Sequence, residues 1–482
     1  MRFLLNEQRP DGGWGGENGY GLVPALSATG ALLSVVPNLS TRSIRRDELT
    51  GSVDRGLRAL FRRLNAGEPA ALPDTVAVEI VVPGLIAEIN SQLDPNPPAG
   101  LEEWRGRRLT QHPGGNERLF AGLRAAVGQG RPVPTKLLHS LEVYGDVARG
   151  ARLIDPVRGN VGCSPAATAV WLGDGMVRAR RHPLVRYLEA VQRRWAGPVP
   201  VAAPLAVFER VWVLCTLAGA GLVPRPNRGL VRSVHAAFGE YGVAGGPGLP
   251  PDADDTATAL SALARLGSPR SPEVLWHYQA AGGHFACFPD ERTPSTSTNA
   301  HVLQSFGDCL RFDQPGRSRY LDAMARITGW LCERQQADGG WSDKWHASPY
   351  YATACAALAL AGYGGGLAAG PLSRAVDWLL DTQRPDGSWG RWAGTYEETA
   401  YAVQVLSRVR TAHSGEVTGR AVARGCARLR RAGGPPYPAL WHDKDLYTPT
   451  RIVRAEGLAA LRLAASSPHL APAECRPAGK ES

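Results

Sequence analysis

The sequence predicts an all-α protein made of two (α/α) barrel domains, and three observations carry that prediction. Stretches such as "SATGALLSVV", "ATALSALARLG", "YYATACAALALAGYG" and "TAYAVQVLSRVR" repeat apolar residues at spacings of three and four, the period of a helix with one buried face. Alternating, strand-like runs are nearly absent. The third observation is a repeat: "QRPDGGWG" at 8–15, "QQADGGWS" at 335–342 and "QRPDGSWG" at 383–390 share Q-x-x-D-G-x-W. Asp-Gly supplies a turn with positive φ at Gly, while Gln and Trp can close that turn onto the next helix through a hydrogen bond and a packed indole. Gly and Pro are abundant (56 and 38) but cluster between the helical stretches, which suits many short helices joined by tight turns.

Length and composition narrow the function classes. At 482 residues the chain exceeds the usual single-domain size, so two domains are expected. The apolar run in "MRFLLNEQRPDGGWGG" is too short for a signal peptide, and "TVAVEIVVPGLIAEI" is interrupted by Glu79, Pro83 and Glu88, so no export and no stable membrane insertion are indicated. A cytoplasmic location is the expectation. Eight scattered cysteines, with no C-x-x-C and no zinc spacing, read as reduced structural thiols. The net charge of +10 comes from Arg in "WRGRRL", "VRARRHPLVRY" and "RGCARLRR". These lack interleaved aromatics or a DNA-binding motif, which favours solvated helix faces over nucleic-acid binding.

The chemistry concentrates in "PPDADDTATAL", where Asp252, Asp254 and Asp255 crowd the start of a helix. Asp favours caps and first turns, so a plain helix start is one reading. The other follows from crowding: three carboxylates this close cannot all ionise comfortably, and in a dry pocket one is kept protonated near neutral pH. A neutral carboxylic acid aimed into an apolar cavity is what protonation of a carbon-carbon double bond needs.

With the Q-D-G-W turns, "DADD" makes the chain resemble the class II terpene cyclases, the group of squalene-hopene cyclases and copalyl diphosphate synthases. "LPDTVAVEIVVP", "PTKLLHSLEVYG", "CSPAATA", "STSTNAH", "DKWHASPYYAT" and "LWHDKDLYTP" are similar to its bacterial diterpene branch, and the resemblance runs from residue 8 to about 455. It implies a γβ didomain, with residues 1–225 as a γ-like barrel, residues 226–482 as a β-like barrel, and the active site between them. Relatives usually carry a further helix before the first Q-D-G-W turn, whereas this chain opens at "MRFLLNEQRP".

The resemblance also implies roles. Asp254 corresponds to the general acid, Asp252 and Asp255 set its proton and acidity, and Asn299 matches a position that hydrogen-bonds the acid; a helix cap is the other reading of Asn299. Glu68, helped by Asp74 or Glu79, falls where the family holds Mg²⁺, a hard cation suited to carboxylates and phosphate oxygens. Lys444 and Lys344 are candidates for binding the diphosphate, with solvated lysines the other reading. Trp345, His346, Tyr350 and Tyr351 are candidates to line the cavity and face a cation, or else to be core. His139 matches a histidine that in plant ent-copalyl synthases pairs with an Asn to hold a deprotonating water, but the partner position falls at or near Val201, which is apolar, so the stereoisomer stays open. No D-D-x-x-D stretch is present, so the diphosphate is expected to survive.

The implied reaction is cyclisation of geranylgeranyl diphosphate (C20) to a copalyl/labdane-type diphosphate. Cyclisation of farnesyl diphosphate (C15) to drimenyl diphosphate is the alternative, and a catalytically silent, prenyl-lipid-binding α-barrel is the alternative of another class. A downstream class I synthase or phosphatase is the implied partner; the oligomeric state is left open.

Overall fold

The computed structural model describes residues 1–38, 44–65, 70–94, 96–151, 159–176, 181–195, 198–223, 227–289, 291–411 and 415–467. The chain divides into two compact units. The first comprises Met1–Pro204, Pro247–Leu249 and His442–Tyr447; the second comprises Leu205–Gly246, Pro250–Trp441 and the chain from Thr448 on. The division thus follows Pro204 rather than residue 225.

In the first unit the helices are α1 (Arg2–Asn6), α2 (Leu22–Val35), α3 (Arg46–Leu64), α4 (Val78–Leu93), α5 (Glu117–Gly128), α6 (Pro165–Met176) and α7 (Pro183–Trp195), with a 3₁₀ segment at Thr135–Ala148. α2 packs on α3 and α4; the 3₁₀ segment packs on α4, α5 and α6. α3 shows why these pairs form. Leu49, Val53, Leu57, Leu60 and Leu64 recur on one face and are buried, while Arg residues occupy the other.

The second unit contains α8 (Ala206–Gly219), α9 (Arg228–His235), α10 (Ala253–Arg265), α11 (Thr296–Cys309), α12 (Arg317–Glu333), α13 (Pro349–Tyr363), α14 (Ala369–Asp381), α15 (Tyr396–Arg408), α16 (Glu416–Arg431) and α17 (Thr450–Ala465). Its packing closes a ring: α8 on α10, α10 on α11, α11 on α13, α13 on α15, α15 on α17, and α17 back on α8. Helices α12, α14 and α16 bridge successive members of the ring from outside. This is an (α/α) barrel, and α8 belongs to it because it closes the ring between α10 and α17. The four Ala/Leu-rich stretches lie in α2, α10, α13 and α15. Small side chains suit inner helices packed on both faces; Ala352, Ala356, Ala357 and Ala359 of α13 are all buried.

The Q-D-G-W turns staple neighbouring helices in one repeated way. Gln335 Nε2 donates to Gly339 O (2.7 Å) in its own turn and to Pro371 O (2.8 Å) at the next helix. Gln8 divides its amide between Gly12 O and Ser52 O, and Gln383 between Gly387 O and Ala421 O. Each indole N–H returns to the preceding helix: Trp14 to Leu4 O, Trp341 to Leu331 O and Trp389 to Leu379 O, at 2.7–2.8 Å. The turn glycine is obligatory at Gly339, where φ is +101° and an added Cβ would stand 2.5 Å from Arg374 O. Gly339→Ala is therefore expected to cost about 2 kcal/mol, read as a lowered midpoint in thermal or denaturant unfolding.

Candidate active site

Asp252 is the N-cap of α10, its Oδ1 accepting the Asp255 N–H at 2.7 Å. The cap thus explains one of the three aspartates and places the other two in the first turn. All three are buried. Burial pushes Asp252 up to about 7, with the nearby Asp254 charge adding to the shift. Burial, reinforced by Asp252, holds Asp255 well above the usual carboxylate range. Asp255 Oδ1 is buried with no hydrogen-bond partner, and Gly245 makes room for the carboxyl, since a Cβ there would lie 2.6 Å from Oδ2.

Asp254 is treated differently. His301 Nδ1 lies 2.6 Å from Asp254 Oδ1, with both side chains largely buried. Burial opposes charge on His301, but the Asp254 carboxylate and the Cys355 thiol outweigh it and hold the imidazole well above its ordinary pKa. The site therefore pairs one carboxyl group with an imidazolium and flanks it with two carboxyls held toward neutrality. His301 is fixed by the start of α11. Ser295 caps Thr298 N–H, and Asp343 clamps the turn by accepting from Ser295 Oγ (2.8 Å), Ser297 Oγ (2.9 Å) and Trp345 N–H (3.0 Å).

Asn299 does not bond Asp254, contrary to the expectation. Its Oδ1 accepts from Phe285 N–H (2.8 Å), and its Nδ2 donates to Phe285 O (2.9 Å) and Ser295 O (2.8 Å). With its amide spent on backbone, it pins the preceding loop to α11, and His301, two residues on, meets the acid instead.

Aromatic rings continue from this pair. Trp212 stands edge-on to His301 at 5.5 Å, Trp441 lies 6.5 Å from Trp212, and Tyr351 lies 4.9 Å from Trp441. His346 stacks on Tyr351 at 4.6 Å. Beneath these rings the buried Glu397 Oε1 accepts from Trp441 Nε1 (2.7 Å) and Tyr401 OH (2.9 Å), and its Oε2 has no hydrogen-bond partner. Trp345 is half-buried, its ring under Lys344 Nζ at 4.7 Å. Tyr350 departs from the expected cavity wall: it packs on Trp378 of α14 at 4.7 Å, on the outer layer of the barrel.

A model of the squalene-hopene cyclase C-terminal domain matches residues 291–445. An ent-copalyl diphosphate synthase of Streptomyces sp. (strain KO-3988) is 45% identical over 98% of this chain and 89% of its own length. The chain belongs to the bacterial class II diterpene cyclases. A labda-7,13-dienyl diphosphate synthase of Streptomyces clavuligerus is 42% identical over 96% of this cyclase and 85% of its own length. The solved structure of an ent-copalyl diphosphate synthase from Streptomyces platensis superposes with a TM-score of 0.89 at 45% identity, covering 96% of this cyclase and 91% of that chain.

The first unit of the cyclase corrects two further expectations. Lys444 is buried and its ammonium is spent inside the protein: it donates to His139 O (2.9 Å), Glu142 Oε1 (2.5 Å) and Ser164 Oγ (2.9 Å). It locks a loop in place and has no proton left for a diphosphate. His139 has both ring nitrogens occupied, Nδ1 by Gly162 O at 2.6 Å and Nε2 by Asp443 Oδ1 at 2.8 Å. Burial works to raise Asp443, but His139 and Lys444 outweigh it and hold the carboxyl below its usual value. His139 thus has both ring nitrogens engaged within the protein, which leaves neither free for a deprotonating water. Lys444→Met is expected to cost about 3 kcal/mol of stability by orphaning these acceptors. KM should meanwhile stay within about twofold of the parent, a prediction that steady-state kinetics on the folded variant checks.

Of the metal candidates, two lie among the described residues. Glu68 lies outside the described residues, Asp74 is exposed and Glu79 is half-buried in the first turn of α4. Among the described residues no three His, Cys, Asp or Glu side chains group as a metal cage. Lys344, the other cationic candidate, pairs with Glu291 in the second unit.

Proposed function

We propose that this cyclase converts geranylgeranyl diphosphate to a copalyl-type bicyclic diphosphate, that Asp254 supplies the initiating proton, and that the diphosphate is retained. The observation that carries the reading is the Asp254–His301 pair, largely buried and followed by a wall of aromatic rings. A proton on the free oxygen of Asp254 passes to the terminal alkene; the imidazolium at Oδ1 then stabilises the carboxylate left behind. Neutral Asp252 and Asp255 add no competing negative charge as that carboxylate forms. The alkene π electrons close two rings, the ring of Trp441, which lies outside the lumen lining, favours the cation, and loss of a proton restores neutrality. One proton enters and one leaves, so the reaction is an isomerisation.

The diphosphate is retained because nothing in this scheme withdraws electrons from its C–O bond; it is passed on to a class I synthase or a phosphatase. Mg²⁺ would carry part of the diphosphate's charge when bound. With no protein cage among the described residues, it fits as an ion brought by the substrate and held by one or two carboxylates, for which Asp74 and Glu79 are the described candidates. The seven described cysteines are all free, which suits a reducing cytoplasm. Among the described residues no helix is long and apolar enough to cross a membrane.

Incubation with geranylgeranyl and farnesyl diphosphate, each with Mg²⁺, then dephosphorylation and mass spectrometry, tests the substrate. A bicyclic C20 alcohol is expected from the first. A C15 product alone would make the enzyme a drimenyl-type synthase, and no product from either would leave a silent prenyl-binding barrel.

The rate is expected to fall as pH rises through about 7, where Asp252 takes on charge beside Asp254. The folded protein favours neutral Asp252, so its contribution to stability also declines, from the unfolded value of 3.8 up to about 7. Asp252→Asn keeps the cap and should remove this alkaline limb from the kcat–pH profile.

A further inference from the structure

The ring of inner helices encloses a lumen with a chemistry of its own. A cavity runs inside the second unit, and α8, α10, α11, α13, α15 and α17 all contribute to its wall. His301 lines it, as do Cys355 and Tyr401, whereas Asp254 does not. At the other end it is bounded by the last turns of the same helices, through Arg265, Gly219 and the exposed Arg408. From Tyr401 to Arg408 is seven residues of α15, about 10 Å of lumen.

Midway stands Glu456 of α17. It is 8% exposed, and its two oxygens accept from Thr216 Oγ1 (2.7 Å) and Gln404 Nε2 (2.5 Å). Both donors are neutral. Burial raises its pKa, and those two hydrogen bonds offset this only in part. A carboxyl group buried with only neutral hydrogen-bond donors on its oxygens costs stability and calls for an explanation.

Turnover supplies one. Each cyclisation takes a proton from Asp254, which must regain one before the next substrate reacts. We propose that the barrel lumen is the proton-supply path, with Glu456 relaying protons from solvent at the Arg408 mouth to the His301–Asp254 pair. In each cycle one proton passes from solvent to Glu456, one from Glu456 through lumen water to the pair, and one from Asp254 to the alkene. Glu456 returns to its starting state and never touches substrate. The relay rests on the proposed protonation by Asp254 but adds a separate step to it.

Rapid-quench kinetics on the full chain with geranylgeranyl diphosphate separates the first turnover from the rest. Glu456→Gln should give a burst near one product per enzyme, then a steady phase at least about tenfold slower than the parent. That phase should slow further in deuterium oxide, as product release would not. Glu456→Ala should behave alike, with formate entering the lumen restoring the slow phase and acetamide not doing so. Should either variant fail to fold, Ala354→Leu, which narrows the lumen, should give the same burst. Linear time courses at the parental rate, or first and later turnovers slowed equally without formate rescue, would overturn the relay. Parental activity in Asp254→Asn would instead overturn the protonation reading itself.

Discussion

Asp254→Asn is expected to lower kcat by about a thousandfold while leaving KM for the prenyl diphosphate within about threefold of the parent. The amide fills the same space and still offers an oxygen to His301 Nδ1, so the burial and the 2.6 Å contact have a near-equivalent. What it lacks is a transferable proton. Because the proposed role of Asp254 is at the alkene, the loss should fall on the chemical step. Single-turnover assays with saturating substrate read it directly, and a thermal melt matching the parent excludes misfolding.

His301→Gln should have the second largest effect, a fall in kcat of about a hundredfold. Gln donates a hydrogen bond but carries no charge, so the carboxylate formed on proton transfer loses the cation that stabilises it in a buried setting. His301 and Asp254 act as a unit, so Asp254→Asn/His301→Gln should be little worse than Asp254→Asn alone. A double variant slowed by the product of the two single effects would mean that His301 acts independently, and a parental rate in His301→Gln would deny its part in the acid.

How much of this is legible in the sequence varies with the kind of interaction. The inner helices and the near half of each Q-D-G-W staple are local: the period of "ATALSALARLG" marks a helix, and the spacing from Gln335 to Trp341 sets the bonds to Gly339 and Leu331 within ten residues. The aspartate cluster is legible too, since crowding is visible along the chain. Partners across the ring are not. His301 is in plain view two residues after Asn299, yet which of the two faces α10 depends on Asn299 being consumed by Phe285, a contact 14 residues away. The cap at Ser295, which fixes the phase of α11, is the signal that favours His301.

Lys444 and His139 show the opposite error. Both are polar residues in segments that resemble a binding loop, and both are spent on each other's neighbourhood across about 300 residues of sequence. Burial, which separates a lock from a ligand-binding cation, has no local signature. Glu397 and Glu456 were likewise invisible: each is an ordinary acid near a helix start or middle until the ring closes around it. Tyr350 and Tyr351 are adjacent and differ only in helix phase, which sends one to the outer layer and the other to the lumen.

The central claim is that the enzyme's own acid protonates a carbon of the substrate and leaves the diphosphate alone. Running the reaction in deuterium oxide tests it most directly. Each bicyclic product molecule should carry one carbon-bound deuterium that survives back-exchange into water, and the diphosphate should be recovered intact on the product. Product without carbon-bound deuterium, or with inorganic diphosphate released in step with it, would contradict initiation by protonation from Asp254.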